Sequence, residues 1–313
     1  MRTGSRNCVI QMFVFVCSFC FLVSAYSAPE DHFVTTWKTD NPGDSNSTSI
    51  TVPIVGGPYE VDWNNDGAFD QVGLYGAVTH NYGEAGTKTI RIRGVFDSIQ
   101  FNNGGDKEKI MSLDQWGSNS WTTMYAAFYG ASNLEVLAVD TPDFSNVTSM
   151  WSMFRGASLA NPDTSGWITS TVTDMTYMFV LASSANPDTS SWDTSSVTNM
   201  WGMFYAATSA NPDTSGWDTS QVRNMGFMFS DAYSANPDTR GWDTSSVTNM
   251  VAMFQNTDSA NPDTGGWDTS AVTDMSSMFG VAILANPDTS SWDTSSVTNM
   301  FAMFGSATSA NPD

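Results

Sequence analysis

The 313-residue chain carries 32 Asp and Glu against 11 Lys and Arg, a formal net charge of -21. That balance excludes a nucleic-acid partner, because phosphate contacts need clustered cations. Aromatic residues make up 13% of the chain and include twelve Trp, too apolar a composition for a chain that stays unfolded.

Residues 1–25 read as a secretory signal peptide. Arg2 and Arg6 form a basic start, Val9 to Val23 is an apolar run, and Val23-Ser24-Ala25 offers small residues for cleavage after Ala25. The run falls short of the ~20 residues that a membrane-spanning helix needs, so no stable span is expected in the mature chain. Cys8, Cys17 and Cys20 all lie in this segment, which leaves the mature chain without a thiol or disulfide. Cleavage removes Arg2 and Arg6 but no acid, taking the charge from -21 to -23. The expected location is secreted or cell-surface.

Residues 29–100 read as a small all-β, sandwich-like domain. Val34 to Trp37, Ser49 to Val55, Tyr59 to Trp63, Ala77 to Tyr82 and Thr87 to Val95 are β-prone runs separated by Gly-, Pro- and Asp-rich turns. Between two of them, Asp62, Asn64, Asp66 and Asp70 place oxygens at positions 1, 3, 5 and 9 of a loop, with Gly67 at 6. This is half of an EF-hand-type calcium loop; Gly73 stands where the bidentate Glu belongs. The alternatives are a Ca2+ site and a turn held by its own Asp and Asn side chains. No other cofactor is expected.

Residues 106–140 read as a divergent N-terminal capping repeat. Trp116 precedes Met124 by eight residues, as Trp167 precedes Met175, and Met124 and Phe128 prefigure the pair Met150 and Phe154. An array of repeats needs such a cap because its end unit otherwise exposes core.

Residues 141–313 repeat at a strict period of 25. Phe154, Phe179, Phe204, Phe229, Phe254, Phe279 and Phe304 recur in step, as do Met150 to Met300, Trp167 to Trp292 and the Asn-Pro-Asp corners. A period of this length predicts a solenoid whose units bury apolar faces only against each other. Met200, Met203 and Phe204 fall at i, i+3 and i+4, which predicts a short helix. The Ser/Thr-rich half around Trp192 predicts a short strand. Phe and Met burial, at about 1.5–3 kcal/mol each, stabilises an array but not one unit alone.

Ser191 to Phe204 (Ser-Trp-Asp-Thr-Ser-Ser-Val-Thr-Asn-Met-Trp-Gly-Met-Phe) resembles the 25-residue surface-protein repeat of BspA-like leucine-rich-repeat proteins. The likeness runs from about Asp106 to Asp313. Tyr59 to Asp70, with His80-Asn81-Tyr82 and Ala85-Gly86-Thr87, resembles a PKD-type module. These resemblances imply an exported protein with a leucine-rich-repeat-like solenoid used in adhesion or surface interaction. The corner residues Ala210 and Thr214 stand where the family carries larger apolar ones, so a thinner core is expected there. The last unit stops at Asp313, and no C-terminal cap, sorting motif or anchor is expected within these residues.

The columns offer further candidates. Asp188, Asp213, Asp238, Asp263 and Asp288 would stack, as would Asp193 to Asp293, and like charges so close need turn N–H groups or a cation to hold them. The Trp column reads as core, with a sugar-stacking ladder as the alternative. The Thr194 to Thr294 row reads as a solvated face or, alternatively, an ice-binding one. Catalysis has little to work with: His32 and His80 are the only histidines, and repetition makes every carboxylate pair equivalent. The sequence therefore predicts a non-enzymatic exported adhesion or protein-interaction protein with an acidic, Ser/Thr-rich binding face. Its expected partner is a host or neighbouring-cell surface protein or glycan. The alternative is a secreted calcium-stabilised or glycan-binding module.

Overall fold

A computed structural model describes residues 31–311. The expected signal peptide, 1–25, lies outside the described residues. Ten strands are present: β1 (Phe33–Lys38), β2 (Ser49–Val52), β3 (Ile54–Val55), β4 (Tyr59–Asp62), β5 (Gln71–Leu74), β6 (Val78–Asn81), β7 (Thr87–Gly94), β8 (Ser98–Ile99), β9 (Ile110–Gln115) and β10 (Glu135–Val136). One six-stranded sheet runs β10-β9-β1-β7-β4-β5, and β2-β6 and β3-β8 form two small pairs. Alternation builds the sheet. Phe33, Thr35 and Trp37 of β1 point inward while Val34, Thr36 and Lys38 are only half-buried, and Phe33 faces Ile92 of antiparallel β7.

Strand pairing crosses the expected boundary between residues 29–100 and 106–140. β9 pairs with β1, and β10 adds to β9 in parallel, so residues 106–140 complete the sheet begun by residues 33–94. A buried pair locks this join. Lys109 Nζ reaches the Ser45, Asn46 and Ser49 carbonyls at 2.8–3.0 Å and lies 3.9 Å from Asp106, which accepts from Ser45 N–H, Ser45 O–H and Thr51 N–H. Apolar packing is also continuous: Trp121 sits edge-on to Phe33 at 5.2 Å, and Trp116 meets Phe144 and Trp167.

The expected leucine-rich-repeat-like solenoid, with a strand and a helix in each unit, is overturned. Among the described residues no helix is present, and named strands end at Val136. Beyond that point the β pairing between one unit and the next is a single parallel bridge, such as Asp174 to Asn199 and Asn199 to Asn224. The predicted strand around Trp192 is a pair of turns instead. The physical reason for the missing helix is backbone handedness. A helix needs consecutive residues in the right-handed region, but Tyr177 (φ 59°) and Leu181 (φ 58°) are left-handed. Phe227, Asp231, Ser277 and Val281 repeat the pattern. Alternate N–H groups therefore point out of the unit: Met175, Tyr177, Phe179 and Leu181 donate to the Asn199, Trp201, Met203 and Tyr205 carbonyls of the next one. The intervening Met178, Val180 and Ala182 close tight turns onto carbonyls three residues back. Two successive turns thus put Met175, Met178 and Phe179 on one face, mimicking helical spacing.

Packing between units is regular. Phe128, Phe154, Phe179, Phe204, Phe229, Phe254, Phe279 and Phe304 stack ring on ring at 5.4–5.7 Å, offset as aromatic quadrupoles prefer. Trp167, Trp192, Trp217, Trp242, Trp267 and Trp292 form a second stack at 6.2–6.5 Å. Polar ladders run alongside. Each buried corner Thr, from Thr164 to Thr264, donates its hydroxyl to the next unit's Asp carbonyl at 2.5–2.7 Å. Each corner Asn accepts from the N–H of its counterpart one unit on, as Asn161 does from Asn186 at 2.9 Å.

Candidate functional site

The turns that replace the expected helix also decide which side chains leave the array. In the units starting at Met150 and Met200 the residue after Met is only half-buried (Trp151, Trp201), and the following one is buried. At Met175 and Met225 the order reverses: Thr176 and Gly226 are buried, while Tyr177 and Phe227 reach the surface. Rings from adjacent units therefore interlock over small residues. A Cβ on Gly226 would lie 2.5 Å from Trp201 Cζ3, and one on Gly202 would lie 2.8 Å from the Tyr177 ring.

The result is an aromatic stripe across five units. Tyr125 stacks on Trp151 at 4.6 Å, and Trp151 meets Tyr177 at 6.4 Å. Trp201 donates its indole N–H to the Tyr177 hydroxyl at 2.8 Å and packs on Phe227 at 5.1 Å, with Tyr205 edge-on to Phe227 at 6.1 Å. Arg155 lies over both Tyr129 and Tyr177, at 5.0 and 4.9 Å. Tyr177, Trp201, Tyr205 and Phe227 line an open groove of about 250 Å³. The next units carry Val251 and Ser277 in these places, so the stripe is confined to the half of the array nearer the sheet.

The sequence profile of DUF285, described as a Mycoplasma protein of unknown function, matches residues 122–242 and 233–313. The chain belongs to this family. No curated protein and no solved structure matches it. The whole aromatic stripe of this DUF285 protein, Tyr125 to Phe227, falls within the first matched segment.

The residues singled out from sequence lie outside the stripe of this DUF285 chain. Asp62, the last residue of β4, does lie together with Asn64, Asp66 and Asp70 of the loop that leads to β5. The loop engages its own oxygens: buried Asp62 accepts from the Asn64, Asp66 and Gly67 N–H groups, and Asp70 accepts from Trp63 N–H at 2.8 Å. Asn64 and Asp66 bond each other, and Arg91 caps Asn65. Among the described residues no group of three or more His, Cys, Asp or Glu is placed to hold a metal ion.

Both Asp columns act as turn caps. Asp188 accepts the Ser190 N–H and O–H, and Asp193 accepts those of Ser195. These bonds from serine hydroxyl and backbone N–H hold the Asp163, Asp188, Asp193, Asp218, Asp268 and Asp288 carboxyls below their ordinary range. The Trp167 to Trp267 rings are core, at most 4% exposed, and offer no face to a sugar. Thr194, Thr219, Thr244 and Thr269 are buried as well, each donating to the next unit's Asp carbonyl, so they present no hydroxyl row to ice.

The histidines are parts of the β module. His80 stacks on Trp63 at 4.6 Å and His32 lies edge-on to Phe69; burial lowers the pKa of both. A larger groove of about 380 Å³ beside Tyr59 and Phe96 is lined by Asp31, Glu60 and Arg93, with Arg93 bonded to Glu60 at 2.7 Å and lying over the Phe69 ring. The aromatic stripe was missed in sequence because its members alternate between two positions of the repeat. A scan for rings at either position after the repeated Met would have found it.

Proposed function

We propose that this protein is a non-catalytic, exported interaction protein of the cell surface, whose repeat array carries an aromatic contact face for a partner on a host or neighbouring cell. The observation behind this reading is the stripe from Tyr125 to Phe227. Large apolar side chains gathered at one surface site mark contact surfaces, and Trp, Tyr and Arg dominate the energetics of protein interfaces. The acidic and hydroxyl groups favour this choice by default, since their bonds are largely made within and between units. Among the described residues no helix is long and apolar enough to cross a membrane, which fits contact from outside the bilayer.

The test is adhesion of beads coated with the full mature chain to a cultured cell monolayer. Retention above that of albumin-coated beads is expected, with most of it lost in the double variant Trp151→Ala/Trp201→Ala. Equal retention of that variant, at unchanged thermal midpoint, would overturn the reading. Export is tested by N-terminal sequencing of the cell-surface or culture-fluid protein, which is expected to begin at Tyr26.

A further inference from the structure

We infer that the groove between Tyr177, Trp201, Tyr205 and Phe227 docks a proline-rich segment bearing Lys or Arg; this rests on the aromatic stripe being the contact face. At about 250 Å³ the groove lies below the range of pockets that engulf a whole small molecule. It suits one or two rings of a longer ligand lying along the stripe. Its walls are four aromatic residues, two of which bring a phenol hydroxyl. The indole N–H of Trp201 is already given to the Tyr177 hydroxyl, which keeps its own proton to donate.

A ligand entering such walls must bring few polar groups with it. The side-chain polar groups of the lining are the Tyr177 and Tyr205 hydroxyls and the already committed Trp201 N–H, too few to pair the several hydroxyls of a pyranose buried among them. Proline brings a flat apolar ring, no N–H to satisfy, and a chain already extended in the polyproline II form, which is how aromatic-lined grooves take Pro-rich segments. The groove is also held in shape before binding. Gly202 and Gly226 lie beneath the Tyr177 and Trp201 rings with no room for a Cβ, and the Trp201–Tyr177 bond fixes the indole, so little ordering is left to oppose association.

Charge selects the flanks of the segment. From Thr141 on, the basic residues are Arg155, Arg223 and Arg240 against an Asp in almost every turn, and Asp174 and Asp231 lie on the turns that carry Tyr177 and Phe227. Arg155 lies over Tyr177 at one end of the groove, so the segment's Lys or Arg belongs at the opposite, Phe227 end, where Asp231 shares the turn and the acidic field of the array favours a cation over an anion.

The experiment is calorimetric titration of the full mature chain with a synthetic peptide of repeated Pro-Pro-Arg triplets. A Gly-Ser-Arg peptide of equal length and charge and the neutral oligosaccharide cellohexaose serve as comparisons. Saturable binding of Pro-Pro-Arg is expected, weakened about tenfold or more by Trp201→Ala and unchanged by Tyr75→Ala on the β module. Gly226→Val keeps all four rings but displaces the indole, and should weaken binding comparably. It also decides the matter if Trp201→Ala fails to fold. No saturable binding, equal binding of Gly-Ser-Arg, or Trp201-dependent binding of cellohexaose in place of the peptide would each overturn the inference. If the peptide fails while bead adhesion still depends on Trp151 and Trp201, only the ligand chemistry falls; if adhesion ignores them, the contact face itself falls.

Discussion

Two threonines that look alike in the repeat should differ sharply when changed to valine. Thr214 is fully buried, and its hydroxyl donates to the Asp238 carbonyl of the next unit at 2.7 Å. Valine fills the same space but leaves that carbonyl without its partner. The lost bond and the stranded acceptor cost about 1–3 kcal/mol, and the extra methyl recovers up to about 0.8 kcal/mol, so Thr214→Val should destabilise by about 1–2 kcal/mol. Thr198 is exposed, and its hydroxyl bonds the Thr173 carbonyl at 3.1 Å, an oxygen that already accepts the Thr198 N–H at 2.9 Å. Water replaces that hydroxyl, and Thr198→Val should stay within about 0.5 kcal/mol of the parent. Urea unfolding followed by Trp fluorescence measures both. Equal shifts for the two variants, or a larger one for Thr198→Val, would refute the division into a structural and a solvated hydroxyl row.

Lys109→Met should destabilise by about 3–5 kcal/mol, because it strands three carbonyls and the buried Asp106 carboxylate; urea midpoints check it. Acid should loosen the array. The capping Asp carboxyls have lower pKa values folded than unfolded, so their contribution is complete above their ordinary value near 3.8 and disappears as pH falls through the folded values, which reach about 2 at Asp238 beside Arg240. A thermal midpoint that falls below pH 4, and falls less steeply in Ser190→Ala, is expected. Calcium and EDTA should give the same midpoint, since the Asp62 and Asp70 carboxylates are engaged by N–H groups of their own loop. A rise with calcium that vanishes in Asp66→Ala would show that the loop takes the cation.

Much of the β module is legible from local pattern. Thr89 to Arg93 alternates, and β7 runs Thr87–Gly94; Asp66-Gly67 and Ala85-Gly86 break the chain where turns occur. The buried columns are legible too, since Phe, Met and Trp recurring at one period have to lie against their own kind. The helix was not. Met at i and i+3 followed by Phe at i+4 describes a shared face, and consecutive turns satisfy that spacing as well as a helix does. The residues holding the left-handed positions include Tyr177, Leu181, Phe227 and Val281, which carry none of the Gly or Asn signature that marks such turns.

The sequence alone thus determined the period, the apolar columns, the acidity and the poverty of catalytic groups, because each depends only on which residues recur. Only the tertiary structure decided that alternate N–H groups bond the next unit, that the Asp and buried Thr columns are internal fasteners, and that Tyr177, Trp201, Tyr205 and Phe227 meet. Backbone handedness, which composition and spacing do not encode, sets the direction of every side chain in a turn.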